Sequence, residues 1–284
     1  MKVCLWGITR VEGPGGVTQG SFGGIKPRQV LEVLATEHTR PVSKDELAEA
    51  LWEGTPPASY AATLESYVAV VRRGLEGVGV PRRVVQTVNN GYVLTGEVSV
   101  DLTEVNERIT RALDANSGTA YRVVSRGLTT LRIGDLVASS PYASYAIAAR
   151  EELRSRLAHA LRWGAEGALD AGETARALLL ARQAQALEPV SDATEQVVMR
   201  ALVALDARSD ALREYADFRQ RLRSELGVEP SRTTQSWYLR ALAASRQEAE
   251  QRDREELPLL LRLLAQVAPE NPLLAGLATS AEPA

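Results

Sequence analysis

Cysteine occurs once in the 284 residues, and histidine, methionine and phenylalanine twice each. A single thiol, Cys4, excludes an intramolecular disulfide, and its place in the alternating run "KVCLWGI" reads as a small buried apolar residue. His38 and His159 stand far apart without Cys or His partners at ligand spacing, so no zinc site and no other metal site is expected. No stretch of eighteen apolar residues and no basic-apolar-small leader pattern is present; the expectation is a cytoplasmic chain without a membrane partner. Neither G-x-x-x-x-G-K-[ST] nor G-x-G-x-x-G occurs, and "GPGG" and "GSFGG" read as turns rather than as phosphate cradles. No nucleophile-base pair stands out either. Ser139-Ser140 and the scattered carboxylates read as loop and helix surface, so no enzyme and no cofactor are expected.

What is abundant is apolar and charged residue in ordinary globular proportion, 45% and 24%, with a net charge of −3. A surface of that sign is not coated for nucleic acid, so any such role must be local. Residues 1–97 carry ten basic and ten acidic side chains, whereas the segment from Ser59 to Tyr92 has four arginines against two glutamates.

Composition shifts near Val100. Residues 1–97 mix strand and helix signals, residues 98–245 read as successive amphipathic helices, and residues 246–284 open on "RQEAEQRDREE". Within the first region, "MKVCLWGITRVE" predicts one or two short strands, with another near Val17. "KPRQVLEVLATEH" places Val30, Leu31 and Leu34 at helical spacing. Ser43 precedes "KDELAEALW" with Glu46 three residues on, a capping box for a second helix, which the prolines of "EGTPPAS" would end. A third helix is predicted from about Ser59 to Leu75, and "RRVVQTVNNGYVL" reads as a hairpin turning at Asn89-Asn90-Gly91, where Gly91 would permit a positive φ.

On the third helix Leu64, Val68, Val71 and Leu75 fall within about 60° of one another and form a buried stripe. Ser59, Ala62, Ser66, Ala69, Val70 and Arg73 lie opposite. A small, polar outward face that ends in arginine suits a major groove, because short side chains allow close approach and Arg reaches guanine or phosphate.

The segments "GGIKPRQVLEVL", "VSKDELAEALWEGTPPAS", "TLESYVAVVRRGL" and "VVQTVNNGYVL" together resemble the OmpR-type winged-helix domain of the Streptomyces antibiotic regulatory protein (SARP) family. Residues from Val100 to Ala244, above all "YADFRQRLRSELGVEPSRTTQSWYLRAL", are similar to the bacterial transcriptional activator domain that follows it there. The resemblance implies an α+β winged helix-turn-helix followed by an all-α, tetratricopeptide-like domain. It implies promoter DNA held by Ser59, Thr63, Ser66, Ala69, Val70, Arg72 and Arg73 of the helix and by Arg82, Arg83, Thr87, Asn89, Asn90 and Tyr92 of the wing. It also implies RNA polymerase, including its sigma subunit, meeting Glu46, Glu49, Glu53 and Thr55, and a homodimer at least on double-stranded DNA. Two departures stand out. The family commonly reads Ser-Arg-Leu-Arg-Arg where this chain has Ala69-Val70-Val71-Arg72-Arg73, and Gln where it has Glu65. Val70 would then meet a thymine methyl. Those missing groups and the neutral N-terminal charge motivate a second reading, a helical-repeat adaptor whose degenerate winged helix makes protein contacts.

In the helical half, Ala177, Ala181 and Ala184 recur 34 residues on as Ala211, Tyr215 and Phe218, a tetratricopeptide period that predicts stacked helix pairs. Near the end, Pro258 and Pro269 bracket a Leu-rich stretch expected to form a short helix packed on the helical domain or on a second subunit.

Overall fold

The computed structural model describes residues 1–19, 22–38 and 40–267. By compactness these form two units: residues 1–173 with 186–188, and residues 174–185 with those from 189 onward.

The first unit opens with β1 (Lys2–Cys4), β2 (Arg10–Gly13) and β3 (Gly16–Gln19). These pair antiparallel in sequence order, and β1 also pairs in parallel with β7 (Ser99–Val100), giving the sheet order β3-β2-β1-β7. Three helices follow, α1 (Ile25–Thr36), α2 (Lys44–Trp52) and α3 (Tyr60–Glu76). A second sheet, β4-β6-β5, is built from β4 (Val42–Ser43), β5 (Val85–Val88) and β6 (Gly91–Leu94). Val30, Leu31 and Leu34 of α1, Leu47 of α2 and Leu64, Val68, Val71 and Leu75 of α3 are at most 1% exposed, so the three apolar stripes meet in one core. This is a winged helix-turn-helix.

The capping box of α2 forms as its sequence predicts: Ser43 Oγ accepts from Glu46 N, and Glu46 returns to Ser43 N. What ends α2 lies before the two prolines. Glu53 turns left-handed at φ 50° and Gly54 follows at φ 83°, which reverses the chain.

The change in composition at Val100 is not a break in packing. β7 closes the first sheet, and Asp101, the first residue of α4 (Asp101–Asp114), accepts from Leu5 N and Trp6 N. After α5 (Ser117–Ser125), Val137 N donates to Leu5 O, and α6 (Ser144–Asp170) completes the unit.

The second unit is all helical: α7 (Thr174–Leu187), α8 (Asp192–Ala204), α9 (Arg208–Glu225) and α10 (Arg232–Val267). Ala177, Ala181 and Ala184 on α7 and Ala211 and Phe218 on α9 are fully buried, as the 34-residue period requires. Tyr215 is half-buried and stacks on Tyr238 with ring centroids 4.4 Å apart. The short terminal helix is corrected. Pro258 stands inside α10 rather than at a first position, because the preceding Ala-, Glu- and Arg-rich segment sustains a helix that began at Arg232. Leu259, Leu260, Leu263 and Leu264 are 49–58% exposed. Pro269 lies outside the described residues.

Candidate nucleic-acid interface

α3 presents the face that its sequence predicts. Ser59, Ser66, Ala69 and Arg73 are exposed opposite the buried stripe, and Thr63 is half-buried. Thr63 Oγ1 and Ser66 Oγ donate to the carbonyls of Ser59 and Ala62 four residues back, so each hydroxyl is held against the helix and keeps its lone pairs outward. Arg73 is exposed, and its guanidinium makes no hydrogen bond or ion pair among the described residues.

Arg72 is differently employed. Its Nε and Nη2 reach Val85 O at 3.0 and 2.7 Å, and Nη2 also reaches Thr87 Oγ1 at 3.1 Å. This guanidinium straps α3 to the first wing strand. Charge that was expected on the groove face is thereby spent on orienting the wing. Val70 also turns from its expected role: a Cβ built on Gly23 would lie 2.4 Å from Val70 Cγ1, so the valine packs against the loop before α1 and is only half exposed.

The wing is the β5–β6 hairpin, with Val88 opposite Gly91 and Asn89-Asn90 as the two-residue turn. Asn89 carries the positive φ, 47°, and Gly91 serves another purpose. A Cβ there would sit 2.2 Å from Val42 O, because β4 crosses β6 at that point. Asn89, Asn90, Thr87 and Gln86 are exposed. Gln86 is an exposed wing residue that sequence reasoning missed, although its place between the valines of "VVQTV" was visible. Tyr92 corrects the expectation of a wing contact. It is 2% exposed because β6 is the central strand and its even positions, Tyr92 and Leu94, face the core; burial pushes the phenol pKa up.

Arg82 and Arg83 lie on a short 3-10 turn, Arg82–Val84, that leads into β5. Arg82 pairs with Glu76 at 2.8 Å, while the exposed side chain of Arg83 has no partner among the described residues. Between the end of α3 and the wing lies a cleft of about 840 Å³ lined by Ala69, Arg72, Arg82, Arg83, Gln86 and Thr87 among others. The cleft therefore brings together five of the predicted helix and wing residues, Ala69, Arg72, Arg82, Arg83 and Thr87. Glu65, which would repel phosphate there, is held by Lys44 Nζ at 2.8 Å.

The acidic group on α2 divides in two. Glu46 is committed to the capping box and to Arg40 Nη1 at 2.7 Å, and these bonds pull its pKa down to about 2. Glu49 and Glu53 are exposed, Glu53 at the left-handed C-cap, and Thr55 Oγ1 donates to Trp52 O. Beside them Trp52 stacks on Tyr67 at 6.3 Å and lies under Lys26 Nζ, which donates to Leu51 O.

The pattern of the bacterial transcriptional activator domain matches residues 100–242, and that of the C-terminal domain of transcriptional regulatory proteins matches residues 24–94. The regulatory protein DnrI of Streptomyces peucetius is 30% identical over 232 residues, 72% of this chain and 79% of its own length. This chain belongs to the SARP family of transcriptional regulators. EmbR of Mycobacterium tuberculosis, a transcriptional regulatory protein, is 31% identical over 221 residues, which are 74% of this chain and 56% of EmbR. AfsR of Streptomyces coelicolor is 28% identical over 78% of this chain and 22% of its own length. The chain thus spans about half the length of EmbR. The solved structure of EmbR in complex with a low affinity phosphopeptide superposes with a TM-score of 0.69 at 25% identity, over 86% of this chain and 65% of that one. Among the described residues no helix is long and apolar enough to cross a membrane.

Proposed function

We propose that this SARP regulator is a sequence-specific activator that grips a promoter repeat with α3 and the β5–β6 wing. One observation carries the reading: the unpaired guanidinium of Arg73 and the hydroxyls of Ser59 and Ser66 lie exposed on α3, opposite the face that packs into the core. Short side chains let the helix axis approach base edges, Arg73 reaches guanine, and Arg83, Asn89 and Asn90 meet the flanking backbone. The charge is small, so phosphate neutralisation by one chain is modest and two copies on a repeat supply the rest. The proposed homodimer on DNA follows from that arithmetic.

RNA polymerase, through its sigma subunit, is the proposed partner of α2 and the turn after it, where Glu49, Glu53 and Thr55 are exposed. An acidic face there repels DNA and attracts a basic protein surface. Fragments carrying repeats from the chain's own upstream region, assayed by mobility shift against scrambled repeats, test the first half. A retarded band on native repeats alone is expected. Equal retardation of both, or none, returns the adaptor reading.

A further inference from the structure

We propose that the cleft between α4 and α5 is an anion site that takes a small, multiply charged phosphate compound. Arg108, Arg111, Arg122 and Arg126 line a recess of about 480 Å³ whose other wall is Val123. Among the described residues no carboxylate lines it. In a chain of net charge −3, four guanidiniums around one recess depart from the general surface. Elsewhere in the same unit Arg10, Arg28, Arg40, Arg82 and Arg154 each meet a carboxylate within 4 Å. Among the described residues none of these four does. Glu173 acts on Arg122 only from outside the recess.

Two of the forks are already oriented. Arg111 Nε donates to Glu107 O at 3.3 Å, and Arg122 Nε reaches Tyr121 OH at 3.0 Å while its guanidinium lies 5.5 Å from that ring's centroid. In both, the bond uses Nε and leaves the two terminal nitrogens free, the geometry that grips phosphate oxygens in pairs. Arg126 leaves the end of α5 just before Gly127, whose φ of 116° turns the chain there and brings its backbone toward Arg108 Nη1. Like charges held this close repel one another, and a bound polyanion removes that cost. The volume is that of a small-molecule site, and the apolar wall at Val123 together with guanidinium planes suits a planar ring attached to the phosphates. A larger neighbouring cleft of about 680 Å³, lined by Glu37, Glu107, Glu152 and Arg156 and sharing Arg111, mixes both signs and selects no anion.

Sodium pyrophosphate and adenosine triphosphate, titrated separately into the full chain by calorimetry, test the site. The variants are Arg108→Gln with Arg122→Gln, and Arg154→Gln as a control at a paired surface arginine. The expected result is saturable one-site binding of pyrophosphate, weakened at least tenfold in the double variant and unchanged in the control. Tighter binding of the nucleotide identifies a nucleoside polyphosphate as the source, and equal binding identifies the phosphate group alone; both support the site. Should the double variant lose helix signal in circular dichroism, Arg126→Gln alone is measured, with the same tenfold criterion reduced to threefold. The proposal is overturned if neither compound saturates, if the variants bind as wild type does, or if they lose affinity for promoter DNA while wild type ignores pyrophosphate.

Discussion

The phenolic hydroxyl of Tyr145 donates to Glu32 Oε2 at 2.6 Å, across 113 residues of chain. The same buried carboxylate accepts Thr9 Oγ1 at 2.6 Å and Ser140 Oγ at 2.7 Å and lies 3.3 Å from Arg28 Nε. Glu32 belongs to α1 of the winged helix, and Ser140 and Tyr145 belong to the segment that enters α6, so one side chain fastens the winged-helix fold to the helices that follow. Its removal leaves Arg28 and three hydroxyls facing an apolar gap.

Glu32→Ala is therefore expected to cost roughly 3–5 kcal/mol, because the half-buried Arg28 loses its counter-charge inside the fold, and Tyr145→Phe about 1.5–3 kcal/mol for one hydrogen bond to a charged group. Urea unfolding followed by tryptophan fluorescence measures both. A Tyr145→Phe chain as stable as wild type would contradict the fastening role.

The wing separates folding from binding at adjacent positions. Gly91→Ala forces a Cβ to within 2.2 Å of Val42 O, and the backbone on both sides must move, at an expected cost above about 2 kcal/mol. Asn89→Gly keeps the positive φ and should be tolerated. Asn90→Ala is expected to weaken promoter binding with an unchanged melting temperature. A stability loss at Asn90 with intact binding would make the turn purely structural.

These contrasts mark what the sequence made legible. The Ser43–Glu46 capping box, the α3 stripe and the Asn-Asn turn are local, set by residues within a few positions of each other, and each was readable. Tyr92 was not, since a four-residue strand with apolar groups at both parities leaves its inward face undecided until the central position of β6 decides it. Arg72 read as a groove contact because its acceptor, Val85 O, is a backbone atom that no motif announces. Ser140 read as loop surface for the same kind of reason: its partner Glu32 is 108 residues away. The order of strands and helices followed from local signals and the fold class from the family resemblance, whereas the roles of individual site residues depended on long-range contacts.

A pH effect is expected from the second unit. Glu195 on α8 is 1% exposed and sits beside Glu214; burial first and that neighbouring carboxylate second push its pKa up to about 8, against the opposing pull of Arg221 and Gln185. A carboxyl whose folded pKa lies above its ordinary 4.5 favours the folded state most fully below 4.5, and that contribution is lost as pH rises through about 8. Thermal melts from pH 5 to 9 should fall for wild type across this window. Glu195→Gln, which cannot ionise, should flatten the fall, and an equal slope in both chains would assign the effect elsewhere.

Activation and DNA binding are expected to separate at α2. Glu49→Lys with Glu53→Lys reverses the exposed acidic pair without touching the Glu46 capping box, so folding and the promoter shift should persist. Transcription from the target promoter in a purified polymerase system should fall at least tenfold. Full transcription from the reversed variant would move the polymerase contact off this face.

The most direct measurement is fluorescence anisotropy of a labelled promoter repeat with wild type, Arg73→Ala and Arg72→Ala, repeated on fragments changed at single base pairs. Removal of the unpaired Arg73 should cost about 1–3 kcal/mol of binding and erase discrimination at one base pair, with the melting temperature unchanged. Arg72→Ala should lower the melting temperature first, through loss of its bonds to Val85 and Thr87. Wild-type affinity and base preference in Arg73→Ala would contradict the reading of α3 as the groove helix.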